Sequence, residues 1–141
     1  MLALGVALAA ADPTPPPPEA TSAEAAVQVV RDYYAAVSSR DYRTAFAIWH
    51  GRQDYRHFRR GYAQTVRVSV TPLPPFQAEG AAGSVYAEIR VRVDARLRSG
   101  ARQRFGGSYT LRRANDVPGS TPAQRRWHVV DAHLRRVPAD G

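Results

Sequence analysis

The chain has 141 residues, 44% hydrophobic and 23% charged, proportions that suit one hydrophobic core and exclude disorder across most of the length. The formal charge is +8 with all 20 basic residues Arg, a bias that a GC-rich genome supplies together with Ala and Pro, so charge alone predicts no nucleic-acid partner. The sequence contains no cysteine, which excludes a disulfide framework, a thiolate metal site and a lipid-modified cysteine.

Residues 1–11 form an apolar run from Met1 to Ala11, too short for the roughly 20 residues that cross a bilayer as a helix. No transmembrane span is expected. The run has the length of a secretory signal core, and Ala9-Ala10-Ala11 offers the small-x-small pattern of a cleavage site, which places the mature start near Asp12. The alternative is an Ala-rich tail. Residues 12–20 carry the Pro-rich stretch Pro13 to Pro18, an extended spacer, so the expected organisation is a signal-like segment, a linker, one domain over 21–137 and a tail over 138–141. Export to the periplasm or medium follows as an expectation.

Thr21-Ser22-Ala23-Glu24 has capping-box spacing and predicts a helix start at Thr21. Ala26, Val30, Tyr33 and Val37 then recur at helical intervals to about Ser39. Asp41 caps a shorter helix with Tyr42, Ala45, Phe46 and Trp49 on one face, ended by Gly51. Asp54 opens a third with Tyr55, Phe58 and Tyr62 together.

From Thr65 the period becomes two. Val66, Val68 and Val70 predict a strand, which Pro72, Pro74 and Pro75 should end by about Thr71, followed by a loop through Gly83. Val85 to Leu97 is the clearest strand, its odd-numbered residues apolar and its even-numbered ones polar or charged except Tyr86. A turn at Ser99-Gly100 leads to a partner strand with Phe105, Tyr109 and Leu111 inward, and Gly106-Gly107 is expected to bend or bulge it. After a turn-rich segment, Arg125 to Val137 forms the last strand, centred on Trp127 to Val130. Helices first and antiparallel strands after make the fold class α+β: N-terminal helices packed on a curved antiparallel sheet of about four strands, forming a cone.

Three segments carry a resemblance: Val30-Arg31-Asp32-Tyr33-Tyr34-Ala35-Ala36-Val37, Asp41-Tyr42-Arg43-Thr44-Ala45-Phe46-Ala47-Ile48-Trp49 and Arg126-Trp127-His128-Val129-Val130. In pattern and order they resemble the nuclear transport factor two-like superfamily, with its SnoaL-like polyketide cyclases and ketosteroid isomerases. The resemblance implies the cone fold over 21–137. Enzymatic members place an Asp or His base and a Tyr or Asp donor inside the cone, but no such role aligns with a position here, and the fold also serves domains without catalysis.

The expected pocket lining is Tyr33, Tyr34, Trp49, Tyr55, Phe58, Tyr109 and Trp127, either as ligand wall or as core aromatics with satisfied hydroxyls. Phe46 and Trp49 are expected to bury against Ile89, Val91, Phe105 and Tyr109. The catalytic candidates are Asp131 and His133, which share a face with Trp127 and Val129 if the strand is regular, and Tyr33, whose phenol can polarise a carbonyl. A bulge after Val129 would instead turn the Asp–His pair to solvent. His50 and His57 flank Gly51 without the i, i+4 spacing of a helical metal pair, so neither metal nor cofactor is expected.

The outer face of the sheet presents Arg90, Arg92, Arg96, Arg98, Arg102, Arg104 and Arg112, interrupted by Glu88 and Asp94. Cross-strand pairs there are worth about 0.2–1 kcal/mol each, and the same face suits an acidic partner or a homodimer through the sheet. The sequence reads as a non-catalytic envelope or periplasmic binding or accessory domain whose partner is a small apolar ligand or an envelope protein. An isomerase- or cyclase-type enzyme is the alternative.

Overall fold

The computed structural model describes residues 19–51 and 54–139. The signal-like run, the linker up to residue 18 and the last two residues of the tail lie outside them. Helices α1 (Ala23–Ser38), α2 (Tyr42–Ile48) and α3 (Tyr55–Gly61) precede strands β1 (Thr65–Ala81), β2 (Ser84–Leu97), β3 (Arg102–Ala114) and β4 (His128–Val137). The strands form one open antiparallel sheet in the order β1-β2-β3-β4, as expected for the α+β class. Among the described residues no helix is long and apolar enough to cross a membrane.

Each helix opens on a side-chain cap. Ser22, one residue later than the expected Thr21, accepts from the Ala25 amide, and Asp41 and Asp54 accept from the amides of Thr44 and His57. The inward stripe of α1, Ala26, Val30, Tyr33 and Val37, packs on the odd-numbered face of β2, where Ala87, Ile89, Val91 and Val93 are buried together with Tyr109, Leu111 and Val129. The even-numbered residues of β2 from Tyr86 to Arg92 face solvent. Helix α2 ends at Ile48, before Gly51, where Trp49 bridges to Val129 and the His50 amide donates to the Val129 carbonyl at 2.8 Å. That contact ties the helical layer to β4.

Three expectations are corrected. β1 runs on past its prolines to Ala81, because it is an edge strand with one side free of ladder bonds; its register shifts once at its start, between Thr65 and Arg67, and its pairing lapses at the prolines between Leu73 and Gln77. A two-residue turn at Ala82-Gly83 then replaces the expected loop, with Gly83 at φ 75°. Gly106 and Gly107 make no bulge, since their pairing to β2 is continuous. They serve close approach instead: a Cβ on Gly107 would lie 1.8 Å from the His133 carbonyl oxygen.

The bulge falls at Val130. Leu111 pairs with Val129 but Thr110 with Asp131, so Val130 is the extra residue and facing reverses after it. Asp131 and His133 therefore stand on the solvent side, and Ala132 and Leu134 take the inner positions.

Candidate functional site

The space between helices and sheet is filled by aromatic side chains. Tyr33 and Tyr34, adjacent on α1, both point inward with rings 4.9 Å apart at 87°, and Tyr33 is 2% and Tyr34 4% exposed. The hydroxyls of Tyr33 and Tyr62 are 2.7 Å apart, Trp49 Nε1 donates to the Tyr33 oxygen at 3.2 Å, and the hydroxyls of Tyr34 and Tyr109 bond to each other. Phe58 is buried between Tyr33, Phe46 and Tyr62. Of the expected lining, Tyr33, Tyr34, Trp49, Phe58 and Tyr109 thus come together, but around each other.

The remaining candidates sit apart from that cluster. Tyr55, half-buried, packs on Phe46 and carries the Arg43 guanidinium 3.9 Å above its ring. Phe46 accordingly meets Tyr55 and Phe58 of α3, and both Phe46 and Trp49 stay half-buried, less enclosed than expected. Trp127 is buried and donates from Nε1 to the Ala20 carbonyl at 2.8 Å. Asp131 and His133 form an exposed pair, Nε2 to Oδ2 at 2.9 Å, with side chains 58% and 78% accessible, so the bulge removes them from the interior where a regular strand would have put them. The sequence singled out Tyr62 only as part of the α3 face; its partnership with Tyr33 depends on how α3 folds back on α1.

The interior chemistry is that of neutral phenols. Burial, partly offset by hydrogen bonds from Tyr62 and Trp49, pushes Tyr33 up to about 12. Burial moves Tyr34, Tyr62 and Tyr109 in the same direction, and the neighbouring phenols add to it. None ionises near neutral pH. Apart from the tyrosines, the buried polar or charged side chains among the described residues are Ser84 and Arg113, with no carboxylate or imidazole. The interior therefore has proton donors without a base.

An open cleft lies beside this packed centre. About 580 Å³ in volume, it is bounded by Ala25, Val29 and Asp32 of α1, Ala47 and Ile48 of α2, the end of β3 at Arg113, and Arg125 to His128. Ala25, Val29 and Asp32 are spaced i, i+4, i+7, so one face of α1 forms a wall. A second cleft of about 520 Å³ adjoins it and shares Arg113 and His128. The imidazole of His128 sits with its Nδ1 2.9 Å from the Arg126 carbonyl, which accepts from it, and lies 5.9 Å from the His50 ring. Burial outweighs the hydrogen bond to the Arg126 carbonyl, which acts the other way, and with the charges of His50 and Arg126 it holds the His128 pKa below the usual 6.5, so the ring is neutral near pH 7. A further depression of about 490 Å³ on the solvent side of the sheet mixes Glu79, Glu88 and Arg90 and has no comparable apolar wall.

No family model matches the sequence, and no curated protein matches it. Solved structures do match in shape. An NTF2-like superfamily protein from Salmonella enterica serovar Typhimurium is 12% identical with a TM-score of 0.58, covering 84% of this chain and 93% of that one. The "Putative Scytalone Dehydratase" of Novosphingobium aromaticivorans is 11% identical with a TM-score of 0.57, covering 82% and 83%. A conserved protein from Planctomyces limnophilus is 11% identical with a TM-score of 0.56, covering 81% and 96%. At such identities the likeness is one of fold, and three capped helices on a one-sided, four-stranded antiparallel sheet are what it describes: this chain has the NTF2-like fold.

Proposed function

We propose that this chain is an exported, non-catalytic binding or accessory domain that holds a small molecule with an apolar body in the cleft between α1, α2 and the start of β4. The observation that carries the reading is the division of labour inside the fold. The centre is closed by phenols that satisfy one another, with no acid–base pair among them, while the adjacent cleft is roomy and walled by Ala25, Val29, Ala47, Ile48 and Trp127. A volume near 580 Å³ falls in the range of about 300–1,000 Å³ typical of small-molecule sites.

Ala47 is exposed on α2 and lines the cleft, so Ala47→Trp fills the cavity from its rim without disturbing the core. The variant is expected to weaken capture of an apolar fluorescent probe such as 1-anilinonaphthalene sulfonate at least tenfold, with its melting temperature nearly unchanged. Equal probe binding by wild type and variant would locate the site elsewhere. A catalytic reading has one observation in its favour, the neutral, half-buried His128 in the cleft, and it requires turnover of a bound ligand that His128→Ala abolishes while binding persists.

Export rests on the signal-like run alone. Protein recovered from its native host is expected to begin at or near Asp12 by intact mass. Recovery of a chain retaining Met1 from the cytoplasm overturns this part of the proposal. An envelope protein, or a second copy meeting the Arg-rich outer face of the sheet, is the partner class the reading admits besides the small ligand.

A further inference from the structure

Arg113 is the one described arginine whose residue is almost wholly enclosed, at 7% exposure. It lies on the inner face because it continues the odd-numbered series of β3 through Tyr109 and Leu111. A guanidinium stays charged at every physiological pH, and taking it out of water costs several kcal/mol unless an acid or a set of acceptors replaces the lost hydration.

Here the protein supplies little replacement. Nε donates to the Ala114 carbonyl at 3.2 Å, and no carboxylate among the described residues pairs with Arg113; the ion pairs there join Arg92 and Arg104 to Asp94, Arg125 to Asp116, and His133 to Asp131. No fully buried side-chain nitrogen or oxygen among the described residues lacks a hydrogen bond, so terminal nitrogens of Arg113 without a partner keep some accessible surface, and the residue lines both clefts. The charge is thus sunk in the wall that the two clefts share.

The rest of the cleft points the same way. Its charged lining is Arg113, Arg125 and Arg126 against the single acid Asp32, and His128 is neutral. Arg125 is engaged with Ser120 and Asp116, which leaves Arg113 as the enclosed cation facing the apolar wall. An ion on that guanidinium has its planar fork to bind, and the neighbouring surface of Val29, Ile48 and Trp127 is suited to hydrocarbon.

We infer that the ligand of this cleft is an amphiphile bearing one carboxylate, which docks two-pronged on the Arg113 guanidinium while its apolar body lies against Val29, Ile48 and Trp127. This rests on the reading of the cleft as the binding site and adds the ligand's chemical class. A multiply charged phosphate ester fits less well, because one enclosed guanidinium cannot neutralise it and the wall opposite is apolar.

The test compares dodecanoate with dodecanol, matched in chain length, by calorimetric titration of the whole chain and of Arg113→Met. Wild type is expected to bind the acid at least tenfold more tightly than the alcohol, and Arg113→Met to lose that preference while its affinity for the alcohol stays within about twofold. Methionine replaces the aliphatic stem of the side chain and omits the guanidinium, and a buried unpaired charge replaced by a packed hydrophobe is often neutral or stabilising. The variant without ligand is therefore expected to melt at or above the wild-type temperature. Equal binding of acid and alcohol by wild type overturns the carboxylate inference and leaves the cleft reading standing; binding of neither overturns both. A preference for the acid that survives in Arg113→Met assigns the anion to another cation, and a fall in melting temperature makes Arg113 structural. Should the variant fail to fold, the wild-type comparison of acid with alcohol still decides.

Discussion

Gly107→Ala is expected to destabilise the domain by at least about 3 kcal/mol, against a typical total of about 5–15, and to lower the melting temperature by more than about 10 °C. Gly107 pairs with Val91 on one side and Leu134 on the other, and an added Cβ would meet the His133 carbonyl oxygen at 1.8 Å and its carbon at 2.8 Å. These are backbone atoms, so no rotamer change relieves the contact. β3 and β4 must separate, which loosens the ladder beside Tyr109 and Ala132 and withdraws Leu134 from the core. The adjacent Gly106 is the control: its Cβ would meet only a Val137 methyl at 3.8 Å, ordinary contact, and Gly106→Ala should change stability by no more than about 1 kcal/mol. Similar urea midpoints for the two variants would show that the strands are not locked at Gly107.

Alkaline pH is expected to unfold the domain cooperatively between about pH 10 and 12. A phenol whose folded pKa is raised is favoured neutral by the fold, so its stabilising contribution is complete below the unfolded value of 10.0 and is lost as pH climbs towards the folded value. For Tyr33 the folded value is about 12, and a shift of that size corresponds to about 3 kcal/mol. Burial raises Tyr34, Tyr62 and Tyr109 as well, so above pH 10 the unfolded chain ionises groups that the folded chain keeps neutral, and their contributions are lost together. Tyrosinate absorbance from these four should therefore rise together with the loss of near-ultraviolet circular dichroism. Independent titration of all 7 tyrosines near pH 10 in a protein that keeps its folded signal would contradict the closed interior.

The same network separates single from paired substitution. Tyr109→Phe leaves the Tyr34 hydroxyl enclosed without its partner, a loss of about 1–3 kcal/mol, whereas Tyr34→Phe with Tyr109→Phe removes both polar groups and should be closer to neutral. The double variant also lacks two of the ionisable groups and is expected to unfold at higher pH.

Local physics was enough for the framework. The caps at Asp41 and Asp54, the 3.6-residue stripe of α1 and the strict alternation of β2 are decided by neighbours a few residues away, so the α+β class and the inward set from Ala87 to Val93 could be read directly. The resemblance carried by the two Tyr-rich helical segments led to the same fold that the solved structures share. Alternation also carries the clue to Arg113, since a strand that buries Tyr109 and Leu111 takes Arg113 to the same face, although its neighbours Arg102, Arg104 and Arg112 belong to the opposite one.

Only the tertiary structure could settle the rest, because it depends on groups far apart in sequence. The hydroxyls of Tyr34 and Tyr109, 75 residues apart, close the interior that the composition of the helices alone would have left open as a pocket. One extra residue at Val130, set by pairing with β3, sends Asp131 and His133 to solvent. The position of β1 at the sheet edge lets it continue through prolines that would end an inner strand, and a cation enclosed without an acid becomes visible only once the surrounding elements are packed around it.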